Sequence, residues 1–309
     1  MKLSFNLFRK KIGLLPYIRE DIDSLSVASS QHYGWELNKF NIPDLWKKTE
    51  GYGVTVAVID TGCDINHEDL RDNMLQGKNF VDPSEPPIDR AGHGSHVAST
   101  IAAINNGLGM VGVAPKTKIM PVKALGDNGA GDLDTVAKAI RWAADQKVDF
   151  ITMSLGSPST ASLLERAVDY AANKGCIIFC AAGNSGPNVD IMYPAKYDQC
   201  IAIGAIDQNL NRTSFSCSGD SLDFLAPGKD ILGCVPGNRY ALMSGTSMSN
   251  PFAVGCASLL LSWNKSHKQY KLDDVNDYIS VLSSMALPIP NPQYQTKKYQ
   301  GNGIINIRL

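Results

Sequence analysis

Net charge is nearly absent from this chain of 309 residues: 29 Lys and Arg face 30 Asp and Glu, a formal charge of −1 at pH 7. With the basic residues scattered, apart from Arg9-Lys10-Lys11, no field attracts a polyanion, so nucleic acid is excluded as a partner. Long apolar runs are missing too. Residues 253–263 are cut short by Asn264 and Lys265, well under the ~18–20 apolar residues of a spanning helix, so no membrane partner is expected. Near the N-terminus the basic triplet interrupts the apolar residues, leaving no segment of the ~7–15 residues that a secretory leader needs. The seven cysteines, an odd number, show no CxxC spacing and lie mostly in apolar runs, which predicts buried, reduced thiols rather than a disulfide framework. Together these absences predict a soluble, unexported, cytoplasmic protein. Neither repeats nor low-complexity segments occur.

What is present is enough apolar material, 44% of residues, for one sizeable core. The expected layout is an N-terminal extension and linker over residues 1–30 and one domain over 31–309. From Gly53 onward, short β-branched runs alternate with helix-period segments. That pattern predicts an α/β fold, a three-layer sandwich whose parallel β-sheet is flanked by helices on both faces. The predicted strands are residues 54–60, 119–124, 149–154, 176–182 and 201–206. A helix over 132–147 puts Leu133, Val136, Ala137, Ile140 and Ala144 on one face with Asp132 as its cap, and a second spans 161–174 and stops at Gly175. Residues 288–292 read as a surface loop.

Three segments carry chemistry: Val-Ile-Asp-Thr-Gly at 58–62, Gly-His-Gly-Ser-His-Val-Ala at 92–98, and Ser-Gly-Thr-Ser-Met-Ser-Asn-Pro at 244–251. They supply an acid, a base and a nucleophile in the order Asp60, His93, Ser247, all at predicted strand ends or helix starts, where open parallel sheets build their sites. A serine hydroxyl is a weak nucleophile until a base removes its proton; His93, flanked by glycines, is that base, and Asp60 fixes its tautomer and stabilises the imidazolium. Charge developing on a carbonyl oxygen needs a donor. Ala-Ala-Gly-Asn-Ser-Gly at 181–186 offers Asn184, with the Ser247 backbone N–H as a second donor. Taken alone, Asn-Ser-Gly is an ordinary turn, and its catalytic reading depends on the other segments. An α/β-hydrolase esterase is disfavoured, because residues 245–249 lack the second glycine of G-x-S-x-G and the acid-histidine-serine order is wrong. A silent binding protein on the same scaffold is disfavoured by four intact catalytic positions.

These motifs, spread from about Gln31 to the C-terminus, resemble the subtilisin family of serine endopeptidases, with Asp60, His93, Asn184 and Ser247 on its catalytic positions. The resemblance implies hydrolysis of protein and peptide substrates with broad specificity through an acyl-enzyme on Ser247. It also implies that Ser154, Leu155 and Gly156, and the segment Leu125-Gly126-Asp127-Asn128-Gly129, are extended edges that pair with substrate backbone. Leu133 and Val136 are either walls of an apolar subsite or helix core. Ser185 and Met192 match the primary pocket and imply a neutral or apolar preference, Met192 narrowing it; Tyr193-Pro194 matches a family pair joined by a cis bond. Met248-Ser249-Asn250-Pro251-Phe252 departs from the family's usual Met-Ala-Thr-Pro-His without replacing a catalytic group, and Ala91 stands where many relatives carry a polar residue. Structural calcium is implied as cofactor, held by Asp69, the Asn106 side chain, the carbonyls of Ile104, Leu108 and Met110, and the Gln31 amide.

The N-terminal stretch Leu14-Leu15-Pro16-Tyr17 resembles the short extension that intracellular subtilisins lay across their own active site. Pro16 lacks an N–H and would bend the register of an apolar strand in the cleft. The resemblance therefore implies an inactive precursor cleaved between Ile18 and Gln31, and a homodimer. The alternative is that residues 1–30 merely cover apolar surface.

Overall fold

The computed structural model describes residues 11–22, 27 and 29–309; Arg9, Lys10 and most of the acidic, Ser-rich stretch after Ile22 lie outside them. Thirteen strands are present among the described residues: β1 (Lys11–Leu14), β2 (Ile18–Asp21), β3 (Thr55–Asp60), β4 (Lys78–Asn79), β5 (Lys118–Lys123), β6 (Ala130–Asp132), β7 (Phe150–Met153), β8 (Leu155–Gly156), β9 (Ile177–Ala181), β10 (Cys200–Ile206), β11 (Phe224–Pro227), β12 (Ile231–Val235) and β13 (Arg239–Ser244). Seven form one parallel sheet in the order β11-β10-β9-β7-β3-β5-β4. The five strands expected from sequence are its centre. They read as unbroken apolar runs because both faces are covered: every residue of β7, β9 and β10 is buried.

The longer helices are α1 (His93–Ala102), α2 (Leu133–Asp145), α3 (Ser162–Asn173), α4 (Thr246–His267) and α5 (Val275–Met285). One layer pairs α1 with α4 and the other pairs α2 with α3, with the sheet between them. Asp132 caps α2, its carboxylate accepting the Thr135 N–H at 3.0 Å, and Gly175 follows α3 at φ +86°. Residues 288–291 form the expected irregular stretch, and Pro292 opens a short 3-10 turn. All seven cysteines are buried and free, and burial pushes the Cys63, Cys180 and Cys234 thiols well above their ordinary range.

Two small antiparallel sheets join the parallel one; the strand of the extension and the edge at residues 154–156 were expected, the partners β6, β12 and β13 were not. One has the order β6-β1-β8, the other β12-β13-β2. Each takes one strand from residues 11–22, so the extension is stitched to the domain on both sides of Pro16.

One buried acid sets a pH dependence. Glu36 is only 4% exposed, its Oε2 has no hydrogen-bond partner, and burial pushes its carboxyl from 4.5 up to about 7. The folded state thus holds a proton that the unfolded chain releases. Stability fully present below pH 4.5 is lost as pH rises to 7, by about 3 kcal/mol. Glu36→Gln is therefore expected to raise the melting temperature at pH 8 and to leave it nearly unchanged at pH 4.5; equal melts at pH 8 would refute the assignment.

Candidate active site

Asp60 ends β3 and His93 opens α1, and the parallel sheet brings them together although 33 residues separate them. His93 Nδ1 donates to Asp60 Oδ1 at 2.8 Å, with both side chains fully buried. That bond leaves Nε2 of the neutral ring as a lone-pair acceptor. Nε2 is buried and has no partner. The flanking glycines permit this approach: a Cβ on Gly94 would lie 2.0 Å from the Gly62 carbonyl, and Gly92 adopts φ +93°.

The loop entering α1 is organised by Asp89, a residue that the sequence motifs do not single out. Its Oδ1 accepts from Thr61 Oγ1, Ala91 N and Gly92 N, each at 2.9 Å, and its Oδ2 accepts from Ser95 N at 2.9 Å and Ser95 Oγ at 2.7 Å. A carboxylate four residues before the histidine was the available signal. Ala91 contributes only backbone to this network, so its lack of a polar side chain does not disturb it.

Ser247 is the second residue of α4, where backbone N–H groups have no intrahelical partner. Its hydroxyl donates to the Ser154 carbonyl at 3.2 Å rather than to His93, and Ser154 Oγ donates back to the Ser247 carbonyl at 3.0 Å. Asn250, one of the departures from the family pattern, locks α4 onto the sheet: its Nδ2 donates to Thr152 Oγ1 at 2.8 Å and to the Phe179 carbonyl at 3.3 Å. Asn184 Oδ1 accepts from Thr246 N at 2.9 Å and Thr246 Oγ1 at 2.8 Å, which aims its Nδ2 into the cleft. Four predicted residues, Asp60, His93, Asn184 and Ser247, thus converge on one cleft.

The cleft holds the chain's own residues 11–21. Asn184 Nδ2 donates to the Pro16 carbonyl at 2.7 Å. β1 pairs with β6 and β8, placing Gly13 opposite Gly156 and Leu14 opposite Leu155. Ile12 and Leu15 are each 2% exposed. Leu15 lies against Gly156, where a Cβ would come within 2.6 Å of Leu15 Cδ2 and 3.4 Å of Met192 Cβ. The Tyr17 ring covers His93 at 5.0 Å between centroids, and burial pushes its phenol up. Tyr193-Pro194 is cis, as expected.

One expected edge lies elsewhere in the structure. Residues 125–129 are not an extended strand: Gly129 N–H bonds back to the Gly126 carbonyl, and Gly129 sits at φ +74°, which turns the chain. The pairing edge begins one residue later, at β6. Leu125 is fully buried, Gly126 borders an outer cavity, Asp127 and Asn128 line a cavity beside residues 14–17, and the Gly129 carbonyl accepts the Leu14 N–H at 2.9 Å. Leu133 and Val136 are buried in the core cluster that also contains Ile12. Ser185 is exposed, its N–H bonded to Cys217 Sγ at 3.4 Å. Met192 lies between Gly156 and Gly183.

The expected metal ligands also meet. Asp69 Oδ1 accepts from Asn106 Nδ2 at 3.2 Å and Oδ2 from Met110 N at 2.8 Å, while Gln31 Oε1 accepts from Gly107 N at 2.9 Å and Gln31 Nε2 reaches the Gly109 carbonyl at 3.4 Å. Ile104 N bonds the Asp69 carbonyl, and Leu108 N the Asn106 side chain. The set offers only oxygen ligands, which fits a hard cation. A second group, His67, Asp69 and Cys234, is buried nearby. There His67 Nδ1 already accepts from Asp69 N and Nε2 bonds the Arg239 carbonyl, so neither nitrogen is open to a metal.

The model of the subtilase family matches residues 51–284. The chain belongs to that family. An intracellular serine protease of Paenibacillus polymyxa is 40% identical over 304 residues, covering 96% of this chain and 90% of that protein. The major intracellular serine protease of Bacillus subtilis is 35% identical, covering 96% and 93%. An alkaline protease of Shouchella clausii is 42% identical over 254 residues; this chain spans 65% of its length. This subtilase is a serine endopeptidase of subtilisin type. No helix among its described residues is long and apolar enough to cross a membrane.

Proposed function

We propose that this subtilase hydrolyses peptide bonds with broad specificity through an acyl-enzyme on Ser247, and that it is made as a precursor blocked by its own residues 11–21. His93 takes the Ser247 proton and returns it to the leaving amine; Asp60 holds the ring; Asn184 and the Ser247 N–H stabilise the oxyanion. The observation that carries the reading is the Pro16 carbonyl seated on Asn184 beside His93 and Ser247. Leu15 fills the pocket, yet the carbonyl at Asn184 belongs to the next residue. A productive substrate would offer both from one residue, so the extension occupies the site one residue out of register. A form beginning near Ser29 that hydrolyses denatured protein, and stops when a fluorophosphonate modifies Ser247, is the test.

The pocket's shape implies its taste. Met192 Cβ lies near Gly156 and its Cγ near Gly183, beside the Leu15 side chain, so Met192 narrows the pocket toward a leucine-sized side chain and against an aromatic ring. Met192→Gly, which removes a four-atom side chain, is expected to raise kcat/KM for phenylalanine over leucine peptides by at least about tenfold, the low end of what one methylene is worth in a pocket. An unchanged ratio would remove Met192 from the pocket.

Calcium completes the proposal, held by Gln31, Asp69, Asn106 and the carbonyls of Ile104, Leu108 and Met110. The ion supplies loop stability and takes no part in the chemistry. Chelation with EGTA is expected to lower the melting temperature and excess calcium to restore it, by about 3 kcal/mol at a hundredfold excess over Kd. Identical melts in both would count against the site. The reading extends to a cytoplasmic location, since two similar proteins are named intracellular, to a homodimer, and to a boundary near residue 30 between the removable extension and the peptidase domain.

A further inference from the structure

Beyond Pro16 the extension continues as β2, antiparallel to β13, with Ile18 opposite Ser244, Arg19 opposite Met243, Glu20 opposite Leu242 and Asp21 opposite Ala241. The four side chains are treated differently. Ile18 is 65% exposed and Glu20 and Asp21 are exposed, whereas the Arg19 side chain is only 26% exposed. Its Nη1 donates to the Ala91 carbonyl at 3.1 Å. A Cβ added to Gly92 would lie 2.9 Å from that same Nη1 and 3.4 Å from Pro236 Cδ and Val235 Cγ1. The guanidinium therefore occupies the space left by a missing side chain, between the loop entering α1 and the end of β12.

The electrostatics of the crevice suit a cation. After burial, which is the largest cause of the raised Tyr17 phenol, the Arg19 charge lowers it and the buried Asp60 and Asp89 charges raise it, so all three act at that ring. Pro236 also borders a cavity of about 470 Å³ that adds Asp64 and Asp89, against one cation, Arg90, which is itself paired with Asp127. Nε of Arg19 bonds only its own strand's Asp21, at 2.7 Å. A substrate arginine could make the Ala91 and field contacts without that partner.

We propose that this crevice, formed by Ala91, Gly92, Val235 and Pro236, is a primed-side subsite that selects an arginine side chain in peptide substrates. The proposal rests on the reading of residues 11–21 as a substrate mimic, and adds a cationic preference on the leaving-group side of the scissile bond. The unpaired edge of β13 holds the peptide backbone once β2 departs, and the crevice takes one side chain from that strand.

The test uses the full-length chain carrying Leu15→Asp, whose carboxylate cannot be buried in the pocket and so frees the cleft. Internally quenched peptides with Ile-Gly-Leu-Leu before the scissile bond carry Arg, Lys, Ala or Glu at each of the next four positions in turn. At one position Arg is expected to raise kcat/KM about fivefold over Ala, with Lys between them and Glu below, the scale of a partly exposed charge contact. Indifference to Arg, Ala and Glu at all four positions overturns the subsite. Failure of the blocking reading shows elsewhere: a fluorophosphonate would then label Ser247 as fast in the unsubstituted chain as in the Leu15→Asp chain, whatever preference the peptides record.

Discussion

Removal of residues 1–28 is expected to raise peptide hydrolysis on the order of 100-fold. The extension is tethered, so its effective concentration at the cleft is millimolar or higher, and it buries Ile12 and Leu15 almost completely. Each such side chain contributes about 1.5–3 kcal/mol of burial, and β1 and β2 add backbone pairing to β6, β8 and β13. Leu15→Asp in the intact chain should reproduce much of the rise by removing one of the two anchors. Truncation also exposes the β13 edge, frees Asn184 Nδ2 from the Pro16 carbonyl and takes the Tyr17 ring off His93, so the gain should appear mainly in kcat/KM. Equal rates before and after truncation would leave the peptidase intact and reduce the extension to a cover over apolar surface.

In the truncated form, Ser247→Ala is expected to lower kcat by about 10⁶-fold, the size of the loss known for the nucleophile of subtilisin, a member of the same family. The same variant should lose all fluorophosphonate labelling while keeping its melting temperature, because the Ser247 hydroxyl makes one bond, to the Ser154 carbonyl. His93→Ala should cost about as much, since the two residues act as a unit and their losses do not add. Residual hydrolysis above the uncatalysed rate is also expected. Asn184 remains held by Thr246, so the oxyanion donor outlasts the nucleophile. Full activity without the Ser247 hydroxyl would move the chemistry to another group.

Ser154 and Asn250 show how the tertiary structure completes these roles. The motif around Ser154 reads as a substrate edge, and the residue does precede β8. Its reciprocal bonds with Ser247, though, tie the end of β7 to the start of α4 across 93 positions. Asn250 stands out in the sequence only as a departure from the family pattern. In the fold it is a crosspiece between α4 and strands β7 and β9, a job that depends on neighbours brought together only by the sheet.

The sequence by itself determined what is written in local order and period. Apolar runs too continuous for a half-exposed sheet marked the parallel strands, Asp60, glycine-flanked His93 and Ser247 in their three motifs marked the chemistry, and Asp132 and Gly175 marked helix ends. These signals survive in one dimension because each depends on residues within about one helical turn or one strand of each other. Tertiary structure alone decided the rest. It made Asp89 the organiser of the histidine loop, moved the pairing edge from 125–129 to β6 through a turn at Gly129, and laid Pro16 on Asn184, 168 positions away. Such contacts depend on which chain ends the sheet brings side by side, and antiparallel pairing of the four-residue β1 and β2 with strands of two to six residues leaves no period long enough to read in the sequence.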